Sequence, residues 1–558
     1  MHRTLFVLML ASCASHNPEH HDTPEETGTR LVVLVVVDQW PEWSFEKKQS
    51  EFHAGGFDRL LSEGEWHVGH HPSAATLTAP GHALLGTGEP TAGTGILANE
   101  WWHRDLGKLM RSTEALDGSV TPEWLEAPAI GDAIAAAGTG AKSVSVSLKD
   151  RASVLPLGRH GTPIWLDVKS HAWTTLGTPP AWLADWNRSH PPVPSGPWTP
   201  LDAAKLAKIS GVADDQPGEV GEHGFGKTFP HDPAATKDPA MAIYAMPAGN
   251  EAVLDTALAA IKGEQLGQDR SPDLLVVSLS AHDWVGHGWG HESWEMWDLE
   301  MRLDDQIGKF MTTLDQIVGA GRWSMIVTSD HGASPLPETL RGGRIDTEQI
   351  RAAANAAASS VLGPGNWIDD AHYPNVYFSK AMLAQSKGEL ESAAHHVIFA
   401  LRSFPGIEEV GAVADVAGNC DHRTGRALAL CLTFEPSRSG DVYYLPAKGW
   451  IFQDANEPEA TAHGSLHDYD QLVPVILMAP DRKSHEREHA PVAGEIEMVK
   501  IAPLLARWLG VNPPSTLPRP PPPADQPPPP DQGSDLMGSG SGSGLGSGSA
   551  ANPAQRAR

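Results

Sequence analysis

Basic residues are scarce in this sequence. Forty-one Lys and Arg stand against 69 Asp and Glu, a net charge of −28, and that deficit excludes a nucleic-acid binder, which needs a basic stripe to neutralise phosphates. An anionic substrate would have to be drawn in by a local positive field instead. Cysteine is rarer still, with three among 558 residues: Cys13, Cys420 and Cys431. No apolar run reaches the length needed to cross a bilayer as a helix, and no internal repeat is visible.

What is present begins with Met1-His2-Arg3, the apolar run Thr4 to Leu10, and Ala11-Ser12-Cys13. This is the pattern of an export signal. Leu10-Ala11-Ser12-Cys13 resembles the bacterial lipobox, in which cleavage precedes a lipid-modified cysteine. The expectation is a periplasmic protein held to the outer membrane only by its lipid, with residues 1–13 as signal and 14–29 as a polar, flexible tether. In such an oxidising compartment the remaining pair, Cys420 and Cys431, is expected to form one disulfide.

Leu31 to Val37 is a continuous β-branched and leucine run ending in Asp38, the mark of a strand buried on both faces. Ser143 to Leu148, Leu274 to Leu279 and Met325 to Thr328 read the same way, with Val473 to Met478 a further candidate. Helical period appears over Ile130 to Ala137, Glu251 to Leu266 behind a capping Asn250, Trp294 to Ile317, Glu389 to Phe404 and Glu495 to Leu509. Alternation of this kind predicts an α/β fold, a mainly parallel central sheet sandwiched by helices. Two stretches break the rhythm, about 156–250 and 335–460, the second with an expected strand over Ala427 to Phe434. Both are expected to be cap insertions in one catalytic unit over residues 30–516. The proline runs and Gly/Ser alternation of 517–558 predict a disordered tail.

Acids and histidines recur at the strand ends: Asp38, Asp283-Trp284-Val285-Gly286-His287, Asp330-His331 and His463-Gly464-Ser465. Singly, each has a structural explanation as a cap or a satisfied histidine. Jointly, three carboxylates and three imidazoles are what two zinc ions need. One site would use Asp283, His287 and His463. The other would use Asp38, Asp330, His331 and the oxygen of Thr78, in Thr78-Ala79-Pro80-Gly81-His82, as a metal-activated nucleophile. In Ser147-Leu148-Lys149-Asp150-Arg151, an extended backbone would point Lys149 and Arg151 to the same side, toward one anion. Asn99 and the Ala79 backbone N–H are candidate donors to a phosphoryl oxygen. His82, His282, His291 and His467 lie near this set without an assigned role. Three carboxylates and a Thr78 alkoxide would cancel two divalent ions, so Lys149 and Arg151 leave a doubly positive site matched to a monoester dianion.

In this order, Thr-Ala-Pro-Gly-His-Ala at 78–83, Asn99-Glu-Trp, Ser-Leu-Lys-Asp-Arg at 147–151, Asp283-x-Val-Gly-His287, Asp330-His-Gly and His463-Gly-Ser resemble the alkaline phosphatase superfamily. The likeness covers residues 30–515 and is strongest to the zinc-dependent, phosphate-irrepressible PafA type. It implies hydrolysis of small-molecule phosphomonoesters with two zinc ions per chain. Thr78 becomes the nucleophile that forms a phosphothreonine, and Asn99, Lys149 and Arg151 bind the phosphoryl group. The protein is expected to act as a monomer. A phosphodiesterase or nucleotide pyrophosphatase of the same superfamily is the alternative, with an apolar pocket where Lys149 and Arg151 sit. A metal- or peptidoglycan-binding lipoprotein without activity would be expected to lack part of the ligand set.

Overall fold

The structure, a computed structural model, describes residues 28–454, 456–480 and 491–521. The expected signal, nearly all of the tether and most of the tail lie outside these residues. Nine strands form the central sheet: β1 Leu31–Val37, β2 Glu65–His70, β3 Ser143–Ser147, β4 Thr162–Asp167, β5 Ala172–Thr175, β6 Asp273–Leu279, β7 Trp323–Thr328, β8 Leu472–Met478 and β9 Glu495–Glu497. Their order is β9-β2-β8-β7-β1-β6-β3-β4-β5. The five from β7 to β4 are mutually parallel, while β8 and β5 run antiparallel to their neighbours.

Successive side chains of a strand point to opposite faces, and β1 divides accordingly between two cores. Leu31, Val33, Val35 and Val37 join one cluster; Val32, Leu34 and Val36 join the other. Helices α1 (Thr78–Thr87), α2 (Ile130–Ala137), α3 (Asp150–Leu157), α4 (Pro247–Glu264), α5 (Ala281–Trp289), α6 (Trp294–Leu314) and α7 (Ile501–Leu509) cover the sheet. Residues of α4 and α6 fill the first core, and residues of α1, α2 and α7 fill the second. Complete burial of all seven β1 residues at about 1.5–3 kcal/mol each makes this strand the axis of the fold.

Several expectations need correction. Residues 156–250 are not wholly a cap, because β4 and β5 extend the central sheet. Ala427 to Phe434 is not a strand: Gly425–Thr433 is a helix, in keeping with its run of Ala and Leu, strong helix formers, against a single β-branched residue. Asn250 does not cap a helix but lies buried inside α4, which starts at Pro247. The stretch from Glu495 begins as β9, passes through a 3-10 turn at Met498–Lys500 and becomes α-helical at Ile501. The fold also reaches past both expected ends. Thr29 is buried with its hydroxyl 3.0 Å from Ser324 Oγ, Leu517 packs on the second core, and Arg519 pairs with Glu89 at 2.5 Å.

The second expected insertion carries its own four-stranded sheet, with Ile368–Asp370, Asn375–Phe378, Val442–Pro446 and Ile407–Ala412 in that order. Helices Thr347–Leu362 and Lys387–Arg402 pack against it in a separate core. Cys420 and Cys431 form the expected disulfide here.

Candidate metal centre

The carboxyl ends of β1, β6 and β7 converge on one buried place, as open α/β sheets arrange their ligand sites. Asp38 follows β1, Asp330 and His331 follow β7, and α5, just after β6, carries Asp283 and His287 one turn apart. His463 arrives from the loop before β8. Two ligand-like groups result, each with its donor atoms within 4.8 Å of one another: Asp38, Asp330 and His331, and Asp283, His287 and His463.

The orientation of the imidazoles decides what these groups can hold. His287 Nδ1 donates to Thr461 O at 2.9 Å, His331 Nδ1 to Gly332 O at 2.9 Å, and His463 Nδ1 to Thr76 O at 2.7 Å. A carbonyl only accepts, so each Nδ1 carries hydrogen, and each ring, when neutral, presents an Nε2 lone pair. Those lone pairs face carboxylate oxygens: His287 Nε2 lies 3.2 Å and His463 Nε2 3.6 Å from Asp283 Oδ1, and His331 Nε2 lies 3.5 Å from Asp38 Oδ1 and from Asp330 Oδ2. Lone pair against lone pair is repulsive unless a proton or a metal ion lies between. Asp38 Oδ1 and His331 Nε2 are moreover buried with no hydrogen-bond partner, a costly state for polar atoms. Both groups therefore fit divalent cations taking N and O donors.

Lys149 stands between the groups, Nζ 2.7 Å from Asp38 Oδ2 and 2.5 Å from Asp283 Oδ2. One ammonium cannot balance three buried carboxylates. Burial, with Asp283 and Asp330 adding like charge, holds the Asp38 carboxyl well above its ordinary range despite Lys149. For Asp283 burial works the same way, but Lys149 and His287 outweigh it and hold the group well below that range. Burial pushes His331 down to about 3, keeping it a neutral donor.

Thr78 opens α1 and is 1% exposed. Pro80 fits in the first turn, where a backbone N–H has no helical partner to lose. Gly81 is required by packing, since a Cβ there would lie 2.2 Å from Asp330 O. His82 accounts for itself as a tie: Nδ1 to Thr78 O and Nε2 to Ser278 Oγ, both at 2.9 Å, with Asp330 Oδ2 3.1 Å from Nδ1. The Ala79 N–H is not free for a ligand. It donates to Asn99 Oδ1 at 2.9 Å, which fixes the amide and leaves the NH2 end of Asn99 as the available donor.

The geometry expected of Lys149 and Arg151 also needs correction. Their segment is not extended: Lys149 is the N-cap of α3 and Arg151 its second residue. Arg151 is half-buried, and Asp150 pairs with Arg111 at 3.3 Å.

Gln39, Glu459 and Glu300 carry no sequence signal of their own, and His282 and His291 carry none beyond their nearness to the ligand set. Gln39 contacts both groups: its N–H donates to Asp330 Oδ1 at 3.2 Å and its amide to Asp283 Oδ1 at 2.8 Å. Glu459 lies 3.4 Å from His287 Nδ1 and, with Asp283, raises that imidazole well above its ordinary pKa against the effect of burial. His282, His291 and Glu300 form a third buried group, which Lys48 supplies with positive charge at 2.6 Å from Glu300 Oε1. His467 lies apart, 3.2 Å from Pro446 O.

A profile of the family described as type I phosphodiesterase / nucleotide pyrophosphatase matches residues 32–470. Alkaline phosphatase PafA of Elizabethkingia meningoseptica is 30% identical over 519 residues, spanning 87% of this chain and 92% of that one. The chain belongs to the alkaline phosphatase superfamily. Within it, alkaline phosphatase PhoK of a Sphingomonas species is 29% identical over 521 residues, 86% of this chain and 88% of that one. The crystal structure of wild-type PafA superimposes with a TM-score of 0.78 at 28% identity, covering 87% of this chain and 96% of the other. A solved PafA variant, with a threonine, an asparagine, a lysine and an arginine substituted, gives 0.77 at 27% identity, with the same coverage of both chains.

Proposed function

We propose that the protein is an alkaline phosphatase of the PafA type, a phosphomonoesterase with two zinc ions and a threonine nucleophile. The observation that carries this reading is the facing of three imidazole Nε2 atoms and three buried carboxylates in two adjoining groups, with α1, the helix that Thr78 opens, held beside Asp330 through His82. Zinc, when bound, supplies Lewis acidity that eases ionisation of a hydroxyl and stabilises a departing oxygen. Asp38, Asp330 and His331, with the Thr78 oxygen, would hold one ion; Asp283, His287 and His463 would hold the other.

Thr78 Oγ1 attacks phosphorus in line, its proton is lost, and the bond from phosphorus to the ester oxygen breaks with release of the alcohol. Water then attacks the phosphothreonine from the vacated side and frees inorganic phosphate, two inversions giving net retention. The Asn99 amide and the Arg151 guanidinium bind non-bridging phosphoryl oxygens, and Lys149 brings its charge to the junction of the two metal groups. The substitution of the same four residue types in the PafA variant supports singling out Thr78, Asn99, Lys149 and Arg151.

The same reading makes the protein an exported monomer, tethered at the outer membrane by a lipid on Cys13 and acting on small-molecule phosphomonoesters. The phosphodiesterase description of the matching family favours a second reading, diester hydrolysis at the same centre. Metal analysis of purified protein should give two zinc ions per chain, and p-nitrophenyl phosphate should be turned over far faster than its bis ester. A Lys149→Ala, Arg151→Ala double variant should lose that preference; an unchanged ratio would sink the monoester reading.

A further inference from the structure

We propose that Gln39 is a positioning residue that holds the two metal-binding groups in register, so that the centre behaves as one binuclear unit. This inference rests on the metal centre proposed above and deepens it.

Gln39 directly follows the ligand Asp38 and is fully buried. Its backbone is left-handed, φ 59°, a conformation uncommon outside glycine that persists where surrounding contacts over-determine it. Those contacts come from both groups. The main-chain N–H donates to Asp330 Oδ1 at 3.2 Å, leaving Asp330 Oδ2 to face His331 Nε2. The side-chain Nε2 donates to Asp283 Oδ1 at 2.8 Å, the oxygen that also faces His287 and His463. One residue thus grips a carboxylate of each group, through different atoms.

The amide orientation is itself fixed. Asp283 accepts and cannot donate, so it requires the NH2 end. The other end, Oε1, receives His291 Nε2 at 3.0 Å. The chain also makes room for the amide: a Cβ at Gly286 would lie 1.9 Å from Gln39 Oε1. The glycine in Asp283-Trp284-Val285-Gly286-His287 is therefore explained by the passage of Gln39, and the ligand spacing and the clamp are parts of one arrangement. Partners that orient a metal-bound carboxylate or imidazole typically change affinity or activity about 10- to 100-fold when removed.

The test uses full-length protein loaded with Co2+, whose visible absorption reports ligand geometry. Wild-type protein should bind two Co2+. Gln39→Met, similar in volume and without the amide, should fold with a thermal midpoint near that of wild type. It should show an altered Co2+ spectrum and lose metal to a chelator about 10- to 100-fold faster, with kcat falling more than KM rises. Gln39→Glu, which turns the donor into an acceptor facing Asp283, should be worse than Gln39→Met. Should Gln39→Met not fold, His291→Ala frees the amide from its far end and should shift the spectrum in the same sense by less. A wild-type spectrum and wild-type chelation rate in the folded variant would overturn this proposal alone. Wild-type protein that binds no Co2+ would overturn it together with the metal-centre reading.

Discussion

The imidazoles of His331 and His463 stack on each other, ring centroids 3.7 Å apart and planes 21° from parallel. His331 belongs to one candidate group and His463 to the other, so the two share a wall. Removing either ring lets its neighbour rotate off the carbonyl that fixes it. His331→Ala and His463→Ala should each lower kcat/KM by more than about 100-fold, beyond the usual effect of a residue one contact further out. Because the rings act as a unit, the double variant should be far less than the product of the two losses. A double-variant cycle on p-nitrophenyl phosphate measures this, and strict additivity would show that the stacking carries no coupling.

Much of this centre was legible in the sequence because its parts are local. A continuous apolar run ending in an acid, as at Val37-Asp38, encodes burial and a strand terminus together, and Asp283 with His287 encodes one helical face. What was not legible depends on partners far along the chain. Gln39 reaches residues 244 and 291 positions away, and nothing in its neighbours announces that. Strand direction was hidden for the same reason: Val473 to Met478 has the burial of a parallel core strand, yet its pairing with β7 and β2 is antiparallel. The two-residue spacing of Lys149 and Arg151 suits an extended backbone, but Asp150 between them starts a helix.

Asn99 provides a test of donor against acceptor. Its Oδ1 is engaged by the Ala79 N–H, so Asn99→Asp retains that bond but replaces the NH2 end with a negatively charged oxygen facing the proposed phosphoryl site. Asn99→Ala removes the donor, a loss of about 10²- to 10³-fold for groups of this kind, and with it the acceptor of the Ala79 N–H. The aspartate variant should therefore have the lower kcat/KM of the two toward a monoester dianion. An aspartate variant as active as the alanine variant would remove Asn99 from the phosphoryl site.

The disulfide closes a short loop, Cys420 to Cys431, 11 residues apart. A loop of that size constrains the unfolded chain by roughly 3 kcal/mol. The helix it ends in carries Thr433, whose hydroxyl accepts the Ala74 N–H at 2.9 Å, four residues before Thr78. Cys420→Ser with Cys431→Ser should lower the thermal midpoint, and differential scanning calorimetry with and without reductant should show the same loss in wild type and none in the variant.

Glu219 gives the fold a pH dependence away from the metal centre. It is 1% exposed, and burial, with like charge from Asp214 and Asp215, pushes it up to about 8 although Gln216 pulls it partway back. Nearby Glu295, 2.9 Å from His231 Nε2, is pushed up to about 10, by burial first and by Glu219 next. The unfolded chain releases the Glu219 proton near 4.5 and the folded chain retains it to about 8. Between those values the folded state binds more protons, so stability falls as pH rises through that window and levels off above it. Glu219→Gln is neutral throughout and lacks this slope. The thermal midpoints of wild type and variant should thus be close at pH 5 and separate toward pH 8.5, with the variant the more stable. Parallel curves across that range would show that Glu219 is ionised in the folded protein at neutral pH.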